Sequence, residues 1–256
     1  LKADLRTHSV LSGHAFASAY ELIDEAIKKG LKLLAITEHG PLTPNSLSLG
    51  GFYVLHRAPR KVKGLDILWG AEANFKSDGT IDLDEKAINR LDLLNVGLHP
   101  GNGFVDQRKE KNTEVILKCL DKYPFHIMTH PHYQIYDFDL EAVFEKACEK
   151  NILLEINLSQ ISYMKKENCE KTKEGFKKII EIVKKNNKKV IVNSDTHFLH
   201  ELGDDSALEE FKEELGLTED LIINNNLEEL KTFIKSKNLK EYKDESWTIK
   251  SRVSLF

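Results

Sequence analysis

Short apolar runs of strand length recur along this chain, and a histidine or an acid stands at the end of nearly every one. After a first strand expected to end at Asp4–Leu5, the runs fall at 31–37, 66–71, 93–98, 126–129, 152–157 and 190–193. Helix-period patterns separate them at 113–122, 139–150, 172–186, 206–215 and 227–236. The first helix opens on the box Ser18-Ala-Tyr-Glu21, runs through Lys29 and stops at Gly30, and the last opens on Asn226-Leu-Glu-Glu229. Such alternation implies a mostly parallel sheet with helices outside it, open or closed into a barrel. No low-complexity linker divides the chain. It reads as one domain over 1–237, with a weakly patterned extension at 238–256 that packs on the domain or trails from it.

The metal-competent side chains fall on this map in register. His8 follows the first strand, His39 the second, Glu72 the third, His99 the fourth, His130 the fifth, and Asp195 with His197 the seventh. In a parallel barrel all strands open their C-terminal ends on one face, so residues scattered in sequence meet there. His14 lies in a loop six residues past His8, and spacing alone does not place it. His132 reaches the cavity or the surface. His126, early in its run, reads as a core or backbone-bonded histidine, and His200 as part of a solvated turn. Imidazoles and carboxylates without thiolates suit zinc, manganese or iron. Several divalent cations on one cavity bind a phosphate, neutralise charge developing on it and generate hydroxide near neutral pH. A hydrolase of a small phosphate ester is the expected activity.

Composition narrows the classes. With 256 residues, 41% of them hydrophobic, the chain can bury a full core, and no apolar run nears the roughly 18 residues needed to cross a bilayer. The N-terminus enters strand-like sequence at once, so no secretory leader is expected. Cys119, Cys148 and Cys169 form no CxxC pair, which points to a reducing cytoplasm with Cys119 and Cys148 as core residues. The net charge of −4 and the lack of a basic, aromatic stripe argue against nucleic acid as a partner. The segment from Arg57 to Arg60 reads as a solvated loop or as a lid whose Arg60 holds substrate, with Phe52 and Tyr53 lining the entrance. Oligomeric state is left open.

Seven stretches, in order, resemble one family: Asp4-Leu-Arg-Thr-His8 with Ser12-Gly-His14, Ile36-Thr-Glu-His-Gly40, Gly70-Ala-Glu-Ala-Asn74, Gly97-Leu-His99, Thr129-His-Pro131, Leu154-Glu-Ile-Asn157 and Asn193-Ser-Asp-Thr-His197. The chain resembles the PHP (polymerase and histidinol phosphatase) domain, most closely the YcdX-type PHP phosphatases, from about Ala3 to about Lys237. The resemblance implies a distorted (β/α)7 barrel, TIM-barrel-like, with a trinuclear metal centre. It implies one ion on His8, Glu72 and Asp195, a second on Glu72, His99 and His130, and a third on His14, His39 and His197. The expected enzyme is a phosphoric monoester hydrolase, with Asp195, His197 and His8 as its candidate catalytic groups.

Two residues depart from the family. Arg6 stands where the family has the first histidine of a His-x-His pair, and a guanidinium has no lone pair to give a metal. Three readings of it stay open: Arg6 turns out of the cavity, or replaces an ion's charge and grips substrate phosphate, or marks a protein that binds metal or phosphate without turnover. The centre accordingly holds two or three ions. Glu38 replaces the family's aspartate, shifting a supporting hydrogen bond. A histidinol-phosphate phosphatase is the alternative enzyme.

Overall fold

Ser18 and Glu21 close the expected capping box, each side chain accepting the other's backbone N–H, and they start α1 (Ala19–Lys28). Gly30 ends it at φ +80, a left-handed conformation that costs glycine little. The computed structural model describes residues 1–132, 135–164 and 170–243. Eight strands follow in chain order: β1 (Ala3–Thr7), β2 (Leu33–His39), β3 (Lys61–Val62), β4 (Leu65–Asn74), β5 (Leu93–Gly97), β6 (Ile127–Met128), β7 (Leu153–Asn157) and β8 (Val190–Asn193). The remaining helices are α2 (Leu49–Val54), α3 (Glu85–Ile88), α4 (Lys109–Lys122), α5 (Leu140–Glu149), α6 (Leu158–Met164), α7 (Glu170–Lys185), α8 (Ser206–Leu215) and α9 (Leu227–Ser236).

The strands pair in parallel in the order β1-β2-β4-β5-β6-β7-β8, and among the described residues only the short β3 runs antiparallel, against β4. This is the expected distorted seven-stranded barrel. Several strands outrun their expected ends because the ladder continues. The β2–β4 pairing persists to His39 opposite Glu72, so both stand on the last residues of paired strands rather than beyond them.

Strands β1 and β8 close the barrel through side chains and isolated bonds. Asn224 accepts from Val192 N and donates to the carbonyls of Ala3 and Val192 at one end. Asn193 accepts from Leu5 N in the middle. At the other end Asp195 N donates to Arg6 O and His8 N to Thr196 O.

Inside the barrel the lower layer is apolar, formed by Ala3, Leu5, Leu33, Ala35, Leu93, Ile127, Leu153 and Ile191, and α9 seals it with Leu230, Phe233 and Ile234. Outside, α4, α5 and α7 bury Ile116, Phe144, Ile179 and their neighbours against the opposite sheet face. Cys119 and Cys148 are buried there as expected, while Cys169 lies outside the described residues. Of the extension, Leu239 is buried and Tyr242 packs near Tyr123; 244–256 lie outside the described residues.

His126 is core and backbone-bonded. Its Nδ1 accepts from Leu94 N and its Nε2 donates to Ile234 O. Protonation would set a second N–H against that of Leu94, and burial holds the ring down to about 4. A depressed folded pKa contributes stability above the unfolded value near 6.5 that is lost as pH falls toward 4. The shift corresponds to about 3 kcal/mol. Urea unfolding at pH 7.5 and 4.5 is therefore expected to show a smaller loss in His126→Gln than in the parent chain, and equal losses would refute this assignment.

Candidate metal centre

One irregularity decides what faces the upper cavity. The β1–β2 register runs from Asp4 opposite Leu34 to Thr7 opposite Ile36, so β1 carries one extra residue. Such a bulge breaks the two-residue alternation of strand faces. Ala3 and Leu5 point into the apolar lower layer, and past the bulge Arg6 and His8 point inward above it.

Arg6 therefore does not turn out of the cavity; it is 1% exposed. Its Nη1 donates to Glu155 Oε2 at 2.9 Å. Its Nη2 lies 2.8 and 3.0 Å from the two oxygens of Glu72 and 3.1 Å from Asp195 Oδ1. Glu155, on β7, is the group the sequence reading missed. It also accepts from His130 N, Asn157 and Asn193.

Glu72 is the hub. His8 Nε2 and His39 Nδ1 lie 3.4 and 3.2 Å from its Oε2, while His99 Nε2 and His130 Nε2 lie 3.2 and 3.3 Å from its Oε1. Thr129 Oγ1 donates to the same Oε1. His99 and His130 bring their Nε2 atoms within 3.1 Å of each other, and Asp195 Oδ1 is 3.2 Å from His8 Nε2. His14 stands at the exposed edge, its ring 4.8 Å from those of both His39 and His197. All eight sequence-derived ligand candidates thus gather at one mouth.

The donors fit divalent cations. His8 Nε2, His39 Nδ1 and Asp195 Oδ1 are buried without a hydrogen-bond partner among the described residues. Ligands about 2.1 Å from a tetrahedral zinc lie about 3.4 Å apart, close to the spacings around Glu72. Ligand atoms of His8, His39 and His197 form one compact triad, and those of His39, Glu72 and His99 another.

Neighbouring groups aim the rings. Asp82 accepts from Asn74 Nδ2, so Asn74 presents its oxygen to His99 Nδ1 at 2.7 Å, and His99 Nε2 is left as the lone pair facing the site. The Asp195 carbonyl does the same for His197 through Nδ1. Ser12 joins His8 Nδ1 to Glu38, whose carboxylate accepts from both Ser9 and Ser12. The longer side chain of Glu38 thus still supports His8, through a serine. A Cβ on Gly97 would come within 2.9 Å of His99 and His130, so only glycine lets those rings close in. His130 and Asp195 both hold positive φ, +34 and +57, a backbone conformation that side chains other than glycine's resist.

Charge is finely opposed here. Burial pushes both Glu72 and Asp195 upward, yet the Arg6 guanidinium and adjacent imidazoles hold both well below the usual carboxylate range. Burial raises Glu155. His8 is lowered by burial, but the carboxylates of Asp195 and Glu72 beside it lift it to about 9, whereas burial holds His197 down to about 4. The carboxylates that hold a proton on His8 are equally a seat for a cation.

Other expected residues lie elsewhere. Arg60 binds Asp92 at 2.9 Å and the carbonyls of Leu55 and Ala58, and its own carbonyl accepts from Ile67 N. That is the N-terminal end of β4, opposite the cluster, because a segment leading into a parallel strand enters from the far face. Phe52 is wholly buried, and Tyr53 bonds Asp84. The exposed aromatic pair adjoining the ligands is instead Phe16 and Phe198, stacked at 4.7 Å. His132 is neither exposed nor among the ligands. Its ring lies 3.9 Å from that of Phe176, in a slot left by Gly175.

Residues 4–245 match the PHP domain family. The chain belongs to that family. Among its PHP relatives, a protein of Clostridium acetobutylicum named a probable phosphatase is 31% identical, over 91% of this chain and 94% of the relative. Another so named, from Clostridium novyi, is 34% identical over the same shares. The solved histidinol phosphate phosphatase of Lactococcus lactis, a complex with zinc, L-histidinol and phosphate, shares the PHP fold at a TM-score of 0.53 and 18% identity, covering 92% of this chain and 93% of that one. A chain in an archaeal ribonuclease P assembly with mature tRNA is similar at a TM-score of 0.60 and 14% identity, covering 94% of each. Likenesses at these identities show the fold alone, and a fold does not choose a substrate.

Proposed function

We propose that this PHP chain is a metal-dependent phosphatase acting on a small phosphomonoester. The observation that carries the proposal is the convergence of four imidazole nitrogens on the two oxygens of Glu72 at 3.2–3.4 Å, in a cavity that also holds Asp195, His14 and His197. The probable-phosphatase names of the two clostridial relatives support the reaction class. Zinc suits this nitrogen-rich donor set first, with manganese or iron next.

Bound there, divalent cations neutralise charge developing on a phosphate and bring the pKa of a coordinated water toward neutrality. The chain's own residues do the rest. Glu72 bridges the His99–His130 pair and the His8–His39 pair. Asp195, His8 and His197 handle the proton of the attacking water; Asp195 Oδ1 lies 3.2 Å from His8 Nε2, so a proton taken up there has an imidazole beside it. Arg6 adds fixed positive charge beneath them but is already ion-paired with three carboxylates, so it acts on the field of the site.

Turnover of a chromogenic aryl phosphate by zinc-loaded protein is expected to vanish on exhaustive chelation and return with zinc. Turnover unaffected by chelation would overturn the proposal. The buried guanidinium favours one second reading, a PHP protein that binds phosphate without hydrolysing it. Phosphate binding by zinc-loaded protein that shows no turnover would select it.

A further inference from the structure

We infer that the Arg6 guanidinium holds the place of a cation, so that the centre takes two ions and not three. The inference rests on the metal-centre reading above and concerns how many ions that centre accepts. In the triangle of donors His8 Nε2, Glu72 Oε2 and Asp195 Oδ1, the two sides that meet at His8 are 3.4 and 3.2 Å, the spacing of neighbouring ligands on one ion. Arg6 Nη2 already lies within hydrogen-bond distance of the carboxylate oxygens of that triangle, 2.8 and 3.0 Å from Glu72 and 3.1 Å from Asp195. A second positive charge among the same oxygens would meet both the volume of the Nη2 amino group and its repulsion.

Nor is the guanidinium free to leave. It is wholly buried, Glu155 anchors its other nitrogen at 2.9 Å, and it stays protonated at any pH the chain survives. His8 keeps a role, because its ring stacks on that of His39 at 4.2 Å and forms a compact triad of ligand atoms with His39 and His197. The two seats left are that triad, with His14 beside it, and the group of Glu72, His99 and His130. Unlike an ion, the charge on Arg6 cannot be chelated away.

The test is zinc stoichiometry, by elemental analysis of the full chain after saturation and gel filtration, joined to anomalous diffraction from zinc-loaded crystals. Two ions per chain are expected, with no anomalous peak between Glu72 and Asp195, and Arg6→His is expected to raise the count to three. Three ions in the parent chain, or a peak between Glu72 and Asp195, would overturn the inference while leaving the phosphatase reading intact. A folded Arg6→His variant that still holds two would also overturn it. No bound zinc would overturn the metal-centre reading itself, and this inference with it. The parent chain's count and map decide the matter even where the variant does not fold.

Discussion

Glutamine in place of Glu72 is expected to strip the centre of metal and lower aryl phosphate turnover by about 10³-fold, as removing several kcal/mol of charge stabilisation at the reacting phosphate would. Two histidine pairs meet on this one carboxylate, so the change removes the bridge between them. The amide keeps the volume of the carboxylate, and Arg6 retains Glu155 and Asp195, so the fold is expected to survive. Zinc content, steady-state kinetics and circular dichroism on one preparation check all three points. Retention of both metal and rate would show that Glu72 is not the hub.

The second large effect is on stability. With metal removed, Arg6→Met leaves Glu72, Glu155 and Asp195 buried without the guanidinium they share, and breaking a buried charge pair costs about 3–5 kcal/mol. The sign with pH follows. Burial alone raises all three carboxyls, and in the parent chain Arg6 opposes this. In the variant the folded carboxyls therefore titrate higher than in the parent, so the deficit relative to the parent grows as pH rises toward neutrality. Urea unfolding in chelator, at pH 5 and pH 7.5, reads both the size and the slope. A deficit under about 1 kcal/mol at pH 7.5 would mean that the carboxylates find other partners.

Much of this was legible in the order of residues alone. Strands that alternate with helices must be parallel and therefore open on one side, which is enough to bring His39, Glu72, His99, His130 and Asp195 together without knowing any angle. The capping box of α1 was readable because it rests on local chemistry. His126 was readable as a core or backbone-bonded histidine from its place early in an apolar run, although its partners Leu94 and Ile234 lie far off in sequence. Arg6 was not. Its direction depends on a one-residue bulge set by how β1 pairs with β2, which no run of residues announces. Glu155 was overlooked although a signal existed: a glutamate within the run Leu153-Leu-Glu-Ile-Asn157 is costly to bury unless paired, and the pair is Arg6. The direction of the chain itself could have placed Arg60, since a residue entering a parallel strand lies at the end away from its ligands.

The apolar floor sealed by α9 has a consequence for traffic. A barrel stopped at one end is a vessel open at the other, so on the phosphatase reading a substrate entering and its products leaving share the face edged by His14. The product that most resembles the bound part of the substrate is then the one best placed to obstruct the next arrival. On the phosphatase reading, this chain answers to the phosphate around it as well as to its ester, and its throughput slackens as that phosphate accumulates.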